Sequence, residues 1–268
     1  MTAQYVRVAV DAKAEALLHL MLREWQMERP KLLLTVHGGE ENFPLPPKVR
    51  QAFSKGLITA AQSTGAWIIT DGINTGVSQY VGEAVKAYGT NGCRKRNAVG
   101  VTPWGVIDNH SDLIGRDVLR PYQPLRNPLS KTVCLNSLHS HFLLVDDGTL
   151  GKHGCQLGLR RKLERHIQMQ KIHPSEYGVP VVCVVVEGGP DIVSMVLDYV
   201  SSVPPVPVFV FEGSGRAADL LAFLHKQTAM DRSVVGNTAY MLKTLVFVHV
   251  EELQSYRDTR LNRALRFP

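Results

Sequence analysis

The chain has 268 residues, 44% of them hydrophobic and 20% charged, a balance typical of a soluble globular protein with one large domain and an appendage. Its longest apolar runs are less than half as long as a membrane span, and its N-terminus lacks the apolar core of a signal peptide, so we expect a cytosolic chain without membrane insertion. The formal net charge of +6 suits an anionic partner, but the basic residues are scattered and no aromatic-rich basic module accompanies them, which argues against nucleic acid.

Three regions follow one another along the chain. Residues 1–30 combine a short alternating apolar run with apolar residues at helical spacing, which predicts a first strand and helix packed on the core. From residue 31 to residue 228 one unit recurs: an apolar run of strand length, a loop with glycine and usually an amphipathic helix. Residues 229–268 do not continue this repeating unit, because an apolar run is followed by a charged one. They are predicted to form a helical connector.

The recurring unit predicts an α/β fold with a doubly wound, mostly parallel sheet and helices on both faces. In such a sheet the loops that follow the strands gather along the carboxyl edge, where ligands bind. Six glycine loops on one edge are more than chain reversal requires, and they indicate a bound nucleotide-like anion. Neither the GxGxxG fingerprint nor the GxxxxGK[ST] loop is present.

The sixth loop carries the strongest local signal for an anion site. An apolar strand over residues 208–211 is followed by Gly213, Ser214 and Gly215, and a helical pattern begins at Arg216. A helix that starts in this way leaves unpaired N–H groups at the positive end of its dipole, and a guanidinium can grip a phosphate with two hydrogen bonds. A structural turn made tight by glycine is the alternative.

Backbone N–H groups and hydroxyls of the other loops complete the predicted ligand site. Thr149 could present its hydroxyl to the ligand, although a hydroxyl that serves only its own turn explains it equally well. The candidates in these loops are His37, Gly38, Gly39, Gly72, Thr75, Gly148, Thr149 and Gly188.

Catalytic and metal sites are not predicted. Asp146 and Asp147 are adjacent at the end of a strand and point to opposite sides, so they are poorly placed to share a proton, and no catalytic triad assembles. His139 and His141 are two residues apart, which in a strand places them on one face, but no third metal ligand stands at a recognisable spacing. The cysteines are expected to be reduced and structural, because they are far apart, at Cys93, Cys134, Cys155 and Cys183.

Several strings occur together that resemble one family: TGAWIITDGINTGV, LIGRDVLRPYQ, LHSHFLLVDDGTLGKHG and EGSGRAADLLAFLHK. From about Tyr5 to Thr228 the chain resembles the N-terminal cytosolic homology region of the melastatin subfamily of transient receptor potential cation channels. LIGRDVLRPYQ and LHSHFLLVDDGT are similar to the branch that includes the channel-kinases. The resemblance implies a Rossmann-like fold. It also implies a fragment of a homotetrameric channel at the cytoplasmic face of the plasma membrane, with neighbouring subunits as partners.

The ADP-ribose-activated member of that family implies a ligand and four contact positions. Its two ligand-binding arginines fall on Arg160 and Arg216. A tyrosine and a threonine of its site fall on His153 and His37, and the family's usual glycine falls on Asp71. The expected ligand is therefore ADP-ribose or a related adenine nucleotide, without a metal. If either histidine meets a phosphate, its pKa should rise and ligand binding should strengthen at low pH.

Two other functions remain open. One is an N-glycosidic hydrolase, because distant relatives of the fold release cytokinin bases from nucleotides. Those enzymes carry a glutamate in a PGGxGTxxE motif, and the corresponding string DDGTLGKHGCQLGLR contains none, which disfavours catalysis. The other is a subunit-assembly domain whose cleft is vestigial.

Overall fold

The computed structural model describes residues 2–89, 97–122, 132–170, 178–230 and 245–248. Strands and helices alternate through most of it, as the sequence predicts. The strands are β1 (Gln4–Ala9), β2 (Leu33–Gly38), β3 (Trp67–Thr70), β4 (Ala98–Pro103), β5 (His141–Asp146), β6 (Val181–Val186), β7 (Val208–Phe211) and β8 (Leu245–Val248). The α-helices are α1 (Ala14–Arg23), α2 (Pro47–Thr64), α3 (Gly76–Tyr88), α4 (Gln156–Gln168), α5 (Pro190–Val200) and α6 (Arg216–Met230).

The eight strands form one sheet in the order β1-β5-β4-β3-β2-β6-β7-β8, and every neighbouring pair is parallel. The predicted doubly wound, parallel α/β architecture is confirmed. From β2 the chain builds outward through β3, β4 and β5, and it then returns to the other side of β2 to add β6 and β7. The strand order therefore reverses between β2 and β6, which places the topological switch point there.

Two apolar layers cover the sheet because successive strand residues point to opposite faces. Leu33 faces a layer that includes side chains of α1, α4, α5 and α6, whereas Leu34 faces the layer of α2 and α3. Both faces are thus covered, which explains why the central strands read as continuous apolar runs. Among the described residues, none of the α-helices combines the length and the apolar character that a membrane span requires.

The two ends of the chain differ in how well their elements were predicted. The strand and helix expected in residues 1–30 are present: β1 pairs with β5 at the edge of the sheet, and α1 packs on α4. The helical prediction is wrong for Leu245–Val248, which form β8 beside β7. A short apolar run does not distinguish a strand from a helix, and here the open edge of β7 provides a pairing partner. The rest of residues 231–268 lies outside the described residues, and the domain boundaries stay a prediction.

Candidate functional site

A cleft opens at the carboxyl edge of the sheet, beside the switch point. Its volume is about 440 Å³, within the usual range of small-molecule sites. The end of β2, the first turns of α4 and one side of α5 provide most of its lining. The charged and polar lining residues are His37, Glu40, Asp71, His153, Gln156, Arg160, Arg161, Asp191, Asp198 and Tyr199.

The lining is anchored by a buried hydrogen-bond network centred on Glu164 of α4, whose side chain is fully buried. One carboxylate oxygen, Oε1, accepts hydrogen bonds from the Thr35 hydroxyl at 2.5 Å and from Arg160 Nε at 3.0 Å. The other, Oε2, accepts the Tyr199 hydroxyl at 2.5 Å. Because a buried carboxylate needs such partners, this network stabilises Glu164 as an anion and leaves it poorly placed to act as a general base.

Arg160, which the resemblance implies as a ligand contact, belongs to this network and is 3% exposed. Its Nη2 donates to the Thr35 hydroxyl at 2.6 Å and to the carbonyl oxygens of Val36 and Ile69 at 2.9 and 3.1 Å. The guanidinium therefore ties α4 to β2 and β3, and Glu164 pairs with its charge. Arg160 also lines the cleft, and its contact with a ligand stays a prediction.

His37 lies at the end of β2, and its Nε2 is 3.0 Å from both the Thr35 and the Tyr199 hydroxyl. Both hydroxyls donate their single proton to Glu164, so the His37 Nε2–H must be the donor to them. Burial, followed by the charges of Arg160 and Arg161, holds the pKa of His37 well below its usual value. His37 is therefore a neutral imidazole in the absence of a ligand, and the rise of its pKa beside a bound phosphate stays a prediction.

Arg161 is the other arginine of the lining and was not predicted from the sequence. Its Nε donates to Asp198 at 2.8 Å, and its guanidinium lies 4.0 Å from the centre of the Tyr199 ring. The buried Nη1 has no hydrogen-bond partner among the described residues, and the Glu164 carboxylate lies 4.0 Å away. A donor without an acceptor is costly at a buried position, which makes the partly exposed Arg161 guanidinium the candidate contact for an anion.

Asp71 follows β3 and is half-buried in the wall of the cleft. Burial raises the pKa of its carboxyl to about 6, although hydrogen bonds from the Ser78 hydroxyl and the Ile73 N–H oppose the rise. Both of these bonds reach Oδ1, which turns that oxygen toward α3. The carboxyl is accordingly poised to change its charge within a readily accessible pH range.

The strand, turn and helix predicted around Arg216 are present, but the first turn of α6 differs from the expectation. The N–H groups of Ala217 and Ala218 donate to the carbonyl oxygens of Gly188 and Glu187 at 3.2 and 3.1 Å. These donors are therefore occupied by the protein, and the prediction that they point outward unpaired is wrong. Arg216 itself is largely exposed, lies outside the lining of the cleft and pairs with Glu187 at 3.4 Å.

Close backbone packing explains several of the candidate glycines without a ligand. A Cβ at Gly38 would overlap the carbonyl oxygen of Val186, because β2 and β6 run side by side there. Gly72 has a φ of +73°, and a Cβ there would lie 2.6 Å from the Gly100 Cα. A collision of an added Cβ with a neighbouring side chain, or a positive φ, likewise accounts for Gly39, Gly148, Gly188, Gly213 and Gly215.

The remaining candidates divide between the cleft and its surroundings. His153 lies in the lining, just before α4. Thr75 precedes α3 without a side-chain capping bond, and the Thr149 hydroxyl donates to Asp147 at 2.6 Å in an exposed turn. Ser214 is buried, where its hydroxyl links Glu187 N–H to the Phe211 carbonyl. The cleft thus brings together only four of the candidates, namely His37, Gly38, His153 and Arg160.

The most buried polar residues of the site were not predicted from the sequence. Glu164 could have been found, because it lies four residues after Arg160 and therefore on the same side of α4. Gln156 opens α4, is 3% exposed and lines the cleft. Tyr199 comes from α5, and no spacing in the sequence indicates that it meets β2.

No group of three or more potential metal ligands converges within the described residues. His139 hydrogen-bonds the Thr70 hydroxyl at 2.8 Å, and burial lowers its pKa to about 4. His141 instead packs against the Trp25 ring. The described cysteines, Cys134, Cys155 and Cys183, form no disulfide, and Cys93 lies outside the described residues.

The fold and the site define a class: a parallel, doubly wound α/β domain with a cleft at its topological switch point whose volume lies in the range of small-molecule sites. A model of the family described as SLOG in TRPM matches residues 3–265. The chain belongs to this family, which confirms the resemblance to the melastatin subfamily.

Three relatives, all transient receptor potential cation channels of subfamily M, show how much of the chain is shared. The chain is 56% identical over 227 residues to member 7 of Homo sapiens, covering 84% of this chain and 12% of that protein. Member 6 of Homo sapiens is 57% identical over 228 residues, 85% of this chain and 11% of the relative. Member 1 of Mus musculus is 54% identical over 225 residues, 84% of this chain and 14% of the relative. The chain therefore spans a small part of the length of these relatives.

Proposed function

We propose that the chain is a ligand-sensing regulatory domain of a cation channel. In this proposal the cleft between β2, α4 and α5 binds ADP-ribose or a related adenine nucleotide. The relatives are named as cation channels, which supports the channel context. The domain would then act at the cytoplasmic face of the plasma membrane, within a homotetramer whose neighbouring subunits contact it.

The observation that carries the ligand proposal is the unpartnered Nη1 of Arg161 in the wall of the cleft. Arg160 is less suited to be the main anion contact, because Glu164 engages its Nε and three oxygen acceptors engage its Nη2. A phosphate oxygen would satisfy the Arg161 nitrogen and add a charge-assisted hydrogen bond.

The ligand is tested first by thermal unfolding of the 268-residue chain with ADP-ribose at a hundredfold excess over its dissociation constant. A ligand that binds only the folded state adds about 2.7 kcal/mol under that condition. For a chain of this size we expect the melting temperature to rise by about 5 to 10 °C. Titration calorimetry on Arg161→Ala should then show binding weaker by about 1.5 to 3 kcal/mol, the range for a hydrogen bond to a charged group.

Arg50 provides a matched control for this substitution. Like Arg161 it pairs with a carboxylate, Glu83 at 2.7 Å, and lies over a tyrosine ring, that of Tyr80, but it is outside the lining of the cleft. Arg50→Ala should leave ADP-ribose affinity unchanged. If Arg161→Ala and Arg50→Ala lose the same amount of ADP-ribose affinity, Arg161 is not the phosphate contact. No binding by the wild-type chain would overturn the nucleotide proposal and favour an assembly domain with a vestigial cleft.

We further propose that the domain does not turn its ligand over. The Glu164 carboxylate holds three protein donors, and the Thr149 hydroxyl and N–H both engage Asp147 Oδ1. Neither group is free to activate a water molecule at a glycosidic bond. Prolonged incubation with ADP-ribose or AMP should return intact ligand by chromatography, and released base or ribose phosphate would instead establish a hydrolase.

A further inference from the structure

A second set of unpartnered atoms in the cleft consists of hydrogen-bond acceptors. Gln156 is the first residue of α4, lines the cleft and is 3% exposed. Its Oε1 has no hydrogen-bond partner among the described residues. A buried acceptor without a donor is unfavourable until a donor reaches it.

His37 adds another acceptor to the same lining. Its Nε2–H donates to the Thr35 and Tyr199 hydroxyls, so in the neutral ring Nδ1 carries a lone pair. No hydrogen bond to this Nδ1 is found in the described part of the chain, and 8% of the residue is exposed where it lines the cleft. The network around Glu164 fixes this tautomer, because both hydroxyl protons are already committed.

From these two residues we infer that the His37 and Gln156 side of the cleft is a subsite for a neutral hydrogen-bond donor of the ligand, an amino or hydroxyl group, and that it excludes the phosphates. The inference rests on the proposed function, whose phosphate contact is Arg161. Phosphate oxygens are acceptors at neutral pH, and placing them against Oε1 and Nδ1 would leave both acceptors unsatisfied.

Other hydrogen-bond acceptors also line the cleft. The carboxylates of Glu40, Asp71 and Asp191 also line it. Carboxylates accept hydrogen bonds from hydroxyl and amino groups and repel phosphate. A nucleotide has both kinds of group, because its base amine and ribose hydroxyls are donors whereas its phosphates are acceptors.

Titration calorimetry on Gln156→Met and Gln156→Glu tests the inference, with Gln168→Met, at the other end of α4 and outside the lining, as the control. We expect Gln156→Met to weaken ADP-ribose about three- to tenfold, the equivalent of one neutral hydrogen bond. Gln156→Glu keeps an acceptor and should stay within about threefold of the wild type. The affinity for inorganic pyrophosphate should be unchanged by Gln156→Met, because its binding requires only the Arg161 side.

Two analogues identify the donor. If the base amine binds at this subsite, Gln156→Met should not change the affinity for the analogue with hypoxanthine in place of adenine. If a ribose hydroxyl binds there, Gln156→Met should instead not change the affinity for the 2′-deoxy analogue. The opposite pattern overturns the inference: Gln156→Glu weakens ADP-ribose and pyrophosphate alike by more than tenfold, while Gln156→Met has no effect. In that case ADP-ribose still binds the wild-type chain, so the proposed function survives, whereas no binding by the wild type removes both.

Discussion

Glu164→Ala is expected to lower the free energy of unfolding by about 3 to 5 kcal/mol, the cost of removing one partner from a buried ion pair. The loss arises because Arg160 keeps its charge at a site where its side chain is 4% exposed. The Thr35 and Tyr199 hydroxyls lose their acceptor at the same time. Urea unfolding monitored by circular dichroism measures the change.

Two further variants separate the buried charge from the lost contacts. The double substitution Arg160→Met with Glu164→Leu should cost less than Glu164→Ala, because it leaves no uncompensated charge. Glu83→Ala removes the carboxylate of an exposed ion pair with Arg50 and should cost no more than about 1 kcal/mol. A cost below about 1 kcal/mol for Glu164→Ala would show that the network contributes little to stability.

Asp71→Asn is expected to stabilise the protein at neutral pH and to leave it unchanged under acid conditions. Burial raises the carboxyl pKa from 3.8 to about 6, so the folded state binds the proton more tightly than the unfolded state does. The contribution of Asp71 to stability is therefore complete below pH 3.8 and falls as the pH rises to 6. Since one pKa unit is about 1.4 kcal/mol, the charged form costs up to about 3 kcal/mol above pH 6.

Asparagine retains an oxygen acceptor for Ser78 and Ile73 and carries no charge. The gain in unfolding free energy should be near zero at pH 4 and largest at pH 7.5, as measured by urea unfolding across that range. Asp112→Asn, at an exposed position, is the control. A gain for Asp71→Asn that is the same at both pH values would show that its pKa is not raised.

The fold could be predicted from the sequence because the central strands are buried on both faces and the helices each have one apolar side. The exception, β8, is a four-residue apolar run whose conformation depends on the neighbouring edge strand. The position of the site at the carboxyl edge was also readable, since it follows from parallel topology alone.

The chemistry of the site was less predictable, because it depends on how distant elements meet. The α6 N–H groups were expected to be free, but they meet carbonyl oxygens of the loop after β6. The burial of His37 beside two arginines, which lowers its pKa, was not predictable from the sequence either. Sequence spacing within α4 connects Arg160 to Glu164, whereas Thr35 and Tyr199 join them only through the packing of β2 and α5.

The hydrogen bonds of Arg160 to the Val36 and Ile69 carbonyls span the ends of two neighbouring strands. The guanidinium of Arg160 thereby holds the ends of β2 and β3 together. These bonds hold the wall of the cleft formed by β2, β3 and Arg160 in place, so the shape of this wall is set before a ligand binds. Entropy that a flexible receptor would lose on association has already been lost during folding, so selectivity here is a matter of which groups fit a fixed template.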